Sequence, residues 1–212
     1  MNTFLELFVA VLASLFSVVN PIGAVPVFLS MTSNYTIAAR NKTVLHTSIY
    51  FIAILLVFFF AGSYILSFFG ISVNAMRIAG GLVILNSGFE LLSKKPEETR
   101  GVNAEVTEEA LHKNDISFSP LAMPLLSGPG SISLLIALNA QYAQWNDQLV
   151  IALVIVLMGA VVFLILRSAP YLNRVLGVAG MRALSRIMGF IVMAIAVQYI
   201  ISGIVALVDS LV

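Results

Sequence analysis

The sequence predicts an all-α membrane protein of six transmembrane helices, built as two three-helix copies of opposite orientation. Three observations predict it. Of 212 residues, 60% are hydrophobic and 10% charged, against about a quarter charged in a soluble domain, so most of the chain must meet an apolar solvent. The apolar residues fall into runs near the roughly 20 that a helix needs to cross the hydrocarbon core. Two of these runs, one in each half, are interrupted by proline beside asparagine or glycine.

The first run, 4–33, has no basic flank at its start, carries Glu6 and leads into Asn20-Pro21-Ile22-Gly23 rather than a small-residue cleavage site. It is expected to remain as the first helix. Its roughly 30 residues would extend about 45 Å as a continuous helix, beyond a core of about 30 Å, so tilt or unwinding is required. Asn20 can cap a new half-helix that Pro21 begins, since proline at a first helical position loses no needed N–H. Pro26 loosens the following turn.

The second run, 44–69, includes Phe58-Phe59-Phe60, and the third, 74–92, is bracketed by Arg77 and Glu90. Both of these charges are expected to reach for the interface. Residues 93–117 form a polar linker in which Lys94, Lys95, Arg100 and Lys113 stand among six acids. The fourth run, 118–144, repeats the broken pattern: Pro120, Pro124, then Ser127-Gly128-Pro129-Gly130-Ser131. Here Gly128 is the cap and Pro129 the first residue. The fifth run is 148–166 and the sixth 184–207, opening near Arg186. Ala79, Gly80, Gly81, Gly159 and Gly189 suit close helix packing. The expected organisation is an N-terminal three-helix repeat over 1–92, a cytoplasmic linker over 93–117 and a C-terminal three-helix repeat over 118–212.

Two matches relate the halves. Arg77-Ile78-Ala79-Gly80-Gly81 aligns with Arg186-Ile187-Met188-Gly189-Phe190 at a separation of 109 residues, and Pro21 aligns with Pro129 at 108. Because three spans per copy is odd, the second copy enters the membrane from the other side and the repeat is inverted, the geometry that supports alternating access. Ten of the 11 basic residues fall in the connections after spans 1, 3 and 5; Arg77 alone falls opposite. Positive residues stay inside, so both termini are expected outside.

A half-helix that starts inside the membrane presents unpaired backbone N–H groups and the positive end of a helix dipole. Such an end favours a carboxylate. The carbonyls freed on the preceding half-helix accept from an ammonium group or coordinate a cation, so one zwitterion suits both. Non-helical backbone at this depth belongs where it is buried or lines a wet cavity. The candidate binding residues are therefore Asn20, Pro21, Gly23 and Pro26 with Ser127, Gly128, Pro129, Gly130 and Ser131. Asn86, Asn139 and Gln198 are read as partners for neighbouring helices.

Other classes are disfavoured by what the chain contains. A net charge of +1 suggests no nucleic acid. There is no cysteine, and His46 and His112 are isolated, so no metal site is expected. Ser127 and Ser131 have no His, Lys or Asp in mid-span to act as a base, which argues against an intramembrane enzyme. No phosphate-binding Gly-x-x-x-x-Gly-Lys-Ser/Thr loop is present, which disfavours ATP drive; no cofactor is expected, and a proton or sodium ion remains open as the coupling ion.

The stretches 16–29 (Phe-Ser-Val-Val-Asn-Pro-Ile-Gly-Ala-Val-Pro-Val-Phe-Leu), Pro120 to Pro124, Ser127 to Ile132, Arg186 to Gly189 and Ala194 to Gln198 resemble the MarC family of prokaryotic inner-membrane proteins. The resemblance spans nearly the whole chain. It implies a six-helix protein distantly similar to LysE-type amino-acid exporters, with transport of small neutral amino acids such as glycine and alanine. The same nine residues are the positions to which the family motifs point. The expected partners are a small zwitterionic solute and the lipid bilayer, with room for a homo-oligomer. An exporter of drugs or other metabolites and a structural or signalling protein without transport are the alternatives.

Overall fold

In the computed structural model, which describes residues 3–93 and 115–209, every regular element is helical. The chain forms α1 (Thr3–Val19), α2 (Pro21–Met31), α3 (Ile37–Phe68), α4 (Val73–Ser93), α5 (Ser117–Leu126), α6 (Pro129–Gln141), α7 (Trp145–Arg167) and α8 (Ala169–Asp209). Among the described residues, five stretches are long and apolar enough to span a bilayer: Phe4–Met31, Ile37–Phe68, Val73–Leu92, Trp145–Arg167 and Ala179–Asp209. Counted as one span, α5 with α6, bent by 66°, makes a sixth. Most of the expected linker lies outside the described residues.

Local sequence explains the irregular elements. Pro120 and Pro124 cannot donate to a carbonyl one turn back, and each pushes the residue before it out of the helical region. Ser119 (φ −125°, ψ 124°) and Met123 (φ −133°, ψ 125°) are accordingly extended inside α5. Hydrogen bonds there span five residues, from Leu121 N–H to Ile116 C=O at 3.3 Å and from Ser127 N–H to Ala122 C=O at 2.8 Å. In α8 the helix bends at Gly177 (φ 61°, ψ −179°), a backbone conformation that only glycine adopts readily. The residues before that bend belong to α8 without belonging to its membrane-spanning part.

Two apolar cores hold the helices. The larger lies among α1, α2, α3, α5, α6 and α7 and includes the fully buried Leu15, Phe28, Phe51, Leu55, Leu135 and Met158. The smaller, Ile84, Leu91, Val192 and Ala196, joins α4 to α8. Those two helices run antiparallel and meet through glycine. A Cβ at Gly88 would lie 3.1 Å from Gly189 O and one at Gly189 would lie 3.1 Å from Gly88 O. One at Gly81 would lie 3.0 Å from Ala196 O and one at Gly203 3.1 Å from Asn74 O. Small residues of this kind let helix backbones approach where hydrophobic burial offers little. Large apolar residues such as Ile187, Phe190, Ile201 and Val205 stay exposed on α8, as a lipid-facing surface requires.

A few long polar side chains tie helix ends. Arg77 Nη2 donates to Gln141 Oε1 at 3.1 Å, joining α4 to α6, and Thr47 Oγ1 donates to Ser117 O at 3.1 Å, joining α3 to α5. Within the apolar region Tyr199 Oη donates to Leu134 O at 3.1 Å. Just before α5, hydrogen bonding from Ser117, including its N–H at 2.8 Å, holds the Asp115 carboxyl below the usual range, helped by His46 and Lys42.

Candidate functional site at two interrupted helices

A single residue separates α1 from α2. Asn20 stands in the left-handed region (φ 42°, ψ 65°), a conformation that asparagine tolerates better than most residues. Its N–H donates to Phe16 O at 2.7 Å, ending α1, while its Oδ1 accepts from Gly23 N–H at 3.1 Å, capping α2. One residue thus serves both ends, the first with its backbone and the second with its side chain. Pro21 follows in the first helical position. Gly23 is needed close by, because a Cβ there would fall 2.7 Å from Asn20 Nδ2. Asn20 is 1% exposed and its Nδ2 has no partner, an uncommon state for a buried donor. Half-buried Pro26 cannot donate to the carbonyl of Ile22.

These roles predict a specific pair of outcomes. Asn20→Ala removes the cap and places an ordinary Cβ in the left-handed region, lowering stability by about 1–3 kcal/mol. Asn20→Gly keeps the backbone freedom and should cost only a few tenths of that scale. Thermal denaturation of the purified variants in detergent reads the difference; equal losses would remove Asn20 from both roles.

The second interruption is built without a side-chain cap. Ser127 (φ −96°, ψ 60°) and the extended Gly128 (φ −72°, ψ 169°) link α5 to α6, which Pro129 begins. Ser131 Oγ donates back to Gly128 O at 2.9 Å. Ser127 is 1% exposed and its Oγ has no partner. Gly130 is buried where a Cβ would lie 3.0 Å from Ile84 Cγ1 of α4 and 3.4 Å from Val18 Cγ1 of α1. Val18 is two residues from Asn20, so the interruptions lie close together.

Beside the second interruption is a cavity of about 240 Å³. Gly128, Pro129, Gly130 and Ser131 line it, opposite Asn86, Ser87 and Glu90 of α4. Asn20, Pro21, Gly23, Pro26 and Ser127 are not among its lining residues. The two breaks therefore differ: Asn20 folds onto its own helix and fills the first, while the second, closed by glycine, leaves space.

Sequence reasoning missed the α4 wall. Glu90, read as a charge reaching for the interface, also lines this cavity, and Asn86 Nδ2 donates to its Oε1 at 3.5 Å. The available signal was spacing, since 86, 87 and 90 fall on one helical face amid apolar residues. Among the described residues, no group of three His, Asp or Glu is placed to hold a metal ion.

A bundle of membrane-length helices with interrupted helices beside a small mixed cavity defines a polytopic integral membrane protein. The chain belongs to the MarC family: the model of the MarC family integral membrane proteins matches residues 5–208. It is 38% identical over 207 residues to a UPF0056 membrane protein of Buchnera aphidicola, covering 98% of this chain and 96% of that one. A UPF0056 membrane protein of Methanocaldococcus jannaschii is 39% identical over 200 residues, covering 94% and 97%. The UPF0056 inner membrane protein MarC of Escherichia coli is 34% identical over 218 residues, covering 97% and 99%. No solved structure matches the chain.

Proposed function

We propose that the protein is a secondary transporter of a small neutral zwitterion, of glycine or alanine size, working by alternating access in a prokaryotic inner membrane. The cavity at the start of α6 carries this reading. At about 240 Å³ it falls below the roughly 300–1,000 Å³ of sites for drug-sized ligands, which favours a small solute over a drug. Its wall combines the N-terminal end of a half-helix with a carboxylate and an amide, groups that complement the two charges of an amino acid.

The inverted repeat belongs to the same proposal, with spans 1 and 4 as its proline- and glycine-broken members. Its support is the pattern of packing. Exchanging α1 and α2 with α5 and α6, α3 with α7, and α4 with α8 carries the main contacts into one another. Thus α3 packs on α5 and α6 as α7 packs on α1 and α2, and α4 packs on α6 as α8 packs on α2. Each of α3 and α4 also touches its own counterpart, α7 and α8.

An enzymatic role is disfavoured because Ser131 Oγ is engaged with Gly128 O and Ser127 Oγ has no base hydrogen-bonded to it. The inner-membrane location follows the printed name of the E. coli relative. Both termini are assigned outside from the distribution of basic residues; strong cytoplasmic fluorescence from a C-terminal GFP fusion would reverse that orientation.

The direct test is flux. Proteoliposomes containing the full chain should take up labelled glycine or alanine above empty vesicles, and imposed proton and sodium gradients identify the coupling ion. Absence of both binding and uptake for every small neutral amino acid would leave a structural or signalling role in its place.

A further inference from the structure

We propose that the cavity between the start of α3 and the start of α5 is a second binding site for a small zwitterion, whose carboxylate meets Lys42 and Tyr35 and whose ammonium group meets Asp115. The inference rests on the transport reading above for the identity of the solute, and it adds a site on the side of the membrane assigned to the cytoplasm.

Placement is the first support. The 32 residues of α3 extend about 48 Å, while the hydrocarbon core takes about 30 Å, so the first turns of α3 stand beyond it. On those turns Lys42, Thr43 and His46 share one face. Together with Tyr35, and with Asp115 and Ser117 at the entry to α5, they line a cavity of about 200 Å³. Thr43 is buried while Lys42 and Asp115 are exposed, which puts the two charges at the mouth and the threonine inside. One residue further along α3 the fully buried Thr47 donates from Oγ1 to Ser117 O at 3.1 Å, tying α3 to α5 beside the cavity. This space shares no lining residue with the cavity of about 240 Å³ beside Gly130. The volumes are alike, so a solute that suits one suits the other in size.

Charge is the second support. Arg40 is engaged elsewhere, its Nη2 donating to Thr32 O at 2.8 Å, which leaves Lys42 as the permanent cation at the cavity. Hydrogen bonding from Ser117, and then the charges of His46 and Lys42, favour the ionised Asp115 carboxylate. Among the described residues neither His46 nor Lys42 closes an ion pair with it. Opposite charges thus border one cavity without neutralising each other. Tyr35 Oη is buried with no hydrogen-bond partner, an uncommon state, and a carboxylate seated beside Lys42 supplies the acceptor it lacks. An anion alone would meet Asp115 and a cation alone would meet Lys42, like-charge contacts that weaken binding. A zwitterion finds an opposite charge at each end.

The test is equilibrium binding of labelled alanine to purified full-length protein in detergent. Wild type should bind two alanines per chain. Lys42→Met, at an exposed position, and Asp115→Asn, which keeps an acceptor for the Ser117 N–H, should each reduce the number to one. Gly130→Leu fills the other cavity, and the site left in that variant should bind alanine at least tenfold more tightly than propionate, which lacks the ammonium group, or ethylamine, which lacks the carboxylate. One alanine per wild-type chain, kept in Lys42→Met and Asp115→Asn, overturns the inference and leaves the transport reading standing. So does a remaining site that prefers propionate or ethylamine to alanine. Should Gly130→Leu fail to fold, the stoichiometries of wild type, Lys42→Met and Asp115→Asn decide alone. A wild-type protein that binds no small amino acid at all refutes the transport reading itself, a distinguishable result.

Discussion

Gly130→Leu is expected to abolish solute uptake while the protein still inserts into the membrane. The first added carbon already meets Ile84 Cγ1 at 3.0 Å and Val18 Cγ1 at 3.4 Å. The remaining atoms must either enter the cavity or drive α6 away from α4 and α1. The first outcome fills the binding space and the second separates its walls. Overpacking of this kind costs about 1–3 kcal/mol, little enough for insertion to continue. Flux in proteoliposomes together with the amount of protein in the membrane fraction checks the prediction. Uptake at the wild-type rate would remove the start of α6 from the site. Gly130→Ala, which adds only the first carbon, should slow uptake without eliminating it.

A large effect on stability is expected at Gly88, through the joining of α4 to α8 and not through chemistry. A side chain there meets Gly189 O at 3.1 Å and Met193 N at 3.2 Å, and backbone atoms in a packed helix cannot swing aside as a side-chain tip can. Gly88→Leu should therefore part α4 from α8 and lower stability by about 1–3 kcal/mol, a fall in melting temperature on the order of 2–12 °C for a chain of this size. Phe89 is the matching control, since it is exposed on the lipid-facing side of the same turn. Phe89→Leu should leave the melting temperature within about 2 °C of wild type, the effect of roughly half a kcal/mol. Equal shifts at the two positions would show that α4 and α8 are not held by close glycine contact.

The spans were legible because apolar length is a strong signal in a chain with so few charges. The run 74–92 and the structure's Val73–Leu92 nearly coincide, and the run 4–33 contains Phe4–Met31. Asn20-Pro21 was legible too, because cap and first-position preferences are local, and α2 starts at Pro21. The left-handed backbone of Asn20 was not, as nothing in the sequence says that one residue must end one helix and start the next. Nor was the loose winding of α5: each proline announces a lost donor, but not which carbonyl the remaining N–H groups reach. The helical start of α8 before Gly177 escaped notice because Tyr171, Asn173 and Arg174 interrupt the apolar pattern, and span-length windows respond only to pattern. Of the nine candidate binding residues, Gly128, Pro129, Gly130 and Ser131 line the cavity. The opposite wall was hidden by a general rule about charges near helix ends, which describes where a side chain can go and not which neighbour holds it.

The two interruptions also differ as mechanical joints. Between α1 and α2 only Asn20 departs from the helix, so any change in their mutual angle must be carried by one pair of backbone dihedrals, both already committed by hydrogen bonds on either side. Between α5 and α6 there are Ser127 and Gly128, two pairs of dihedrals, one of them on a residue without a side chain and with no side-chain cap to restrain it. Hydrogen bonds flank the second joint too, from Ser127 N–H to Ala122 O and from Ile132 N–H and Ser131 Oγ to Gly128 O, so the two differ in the number of dihedrals that can turn. A change of angle within the membrane therefore has more dihedrals to draw on next to Gly130 than at Asn20.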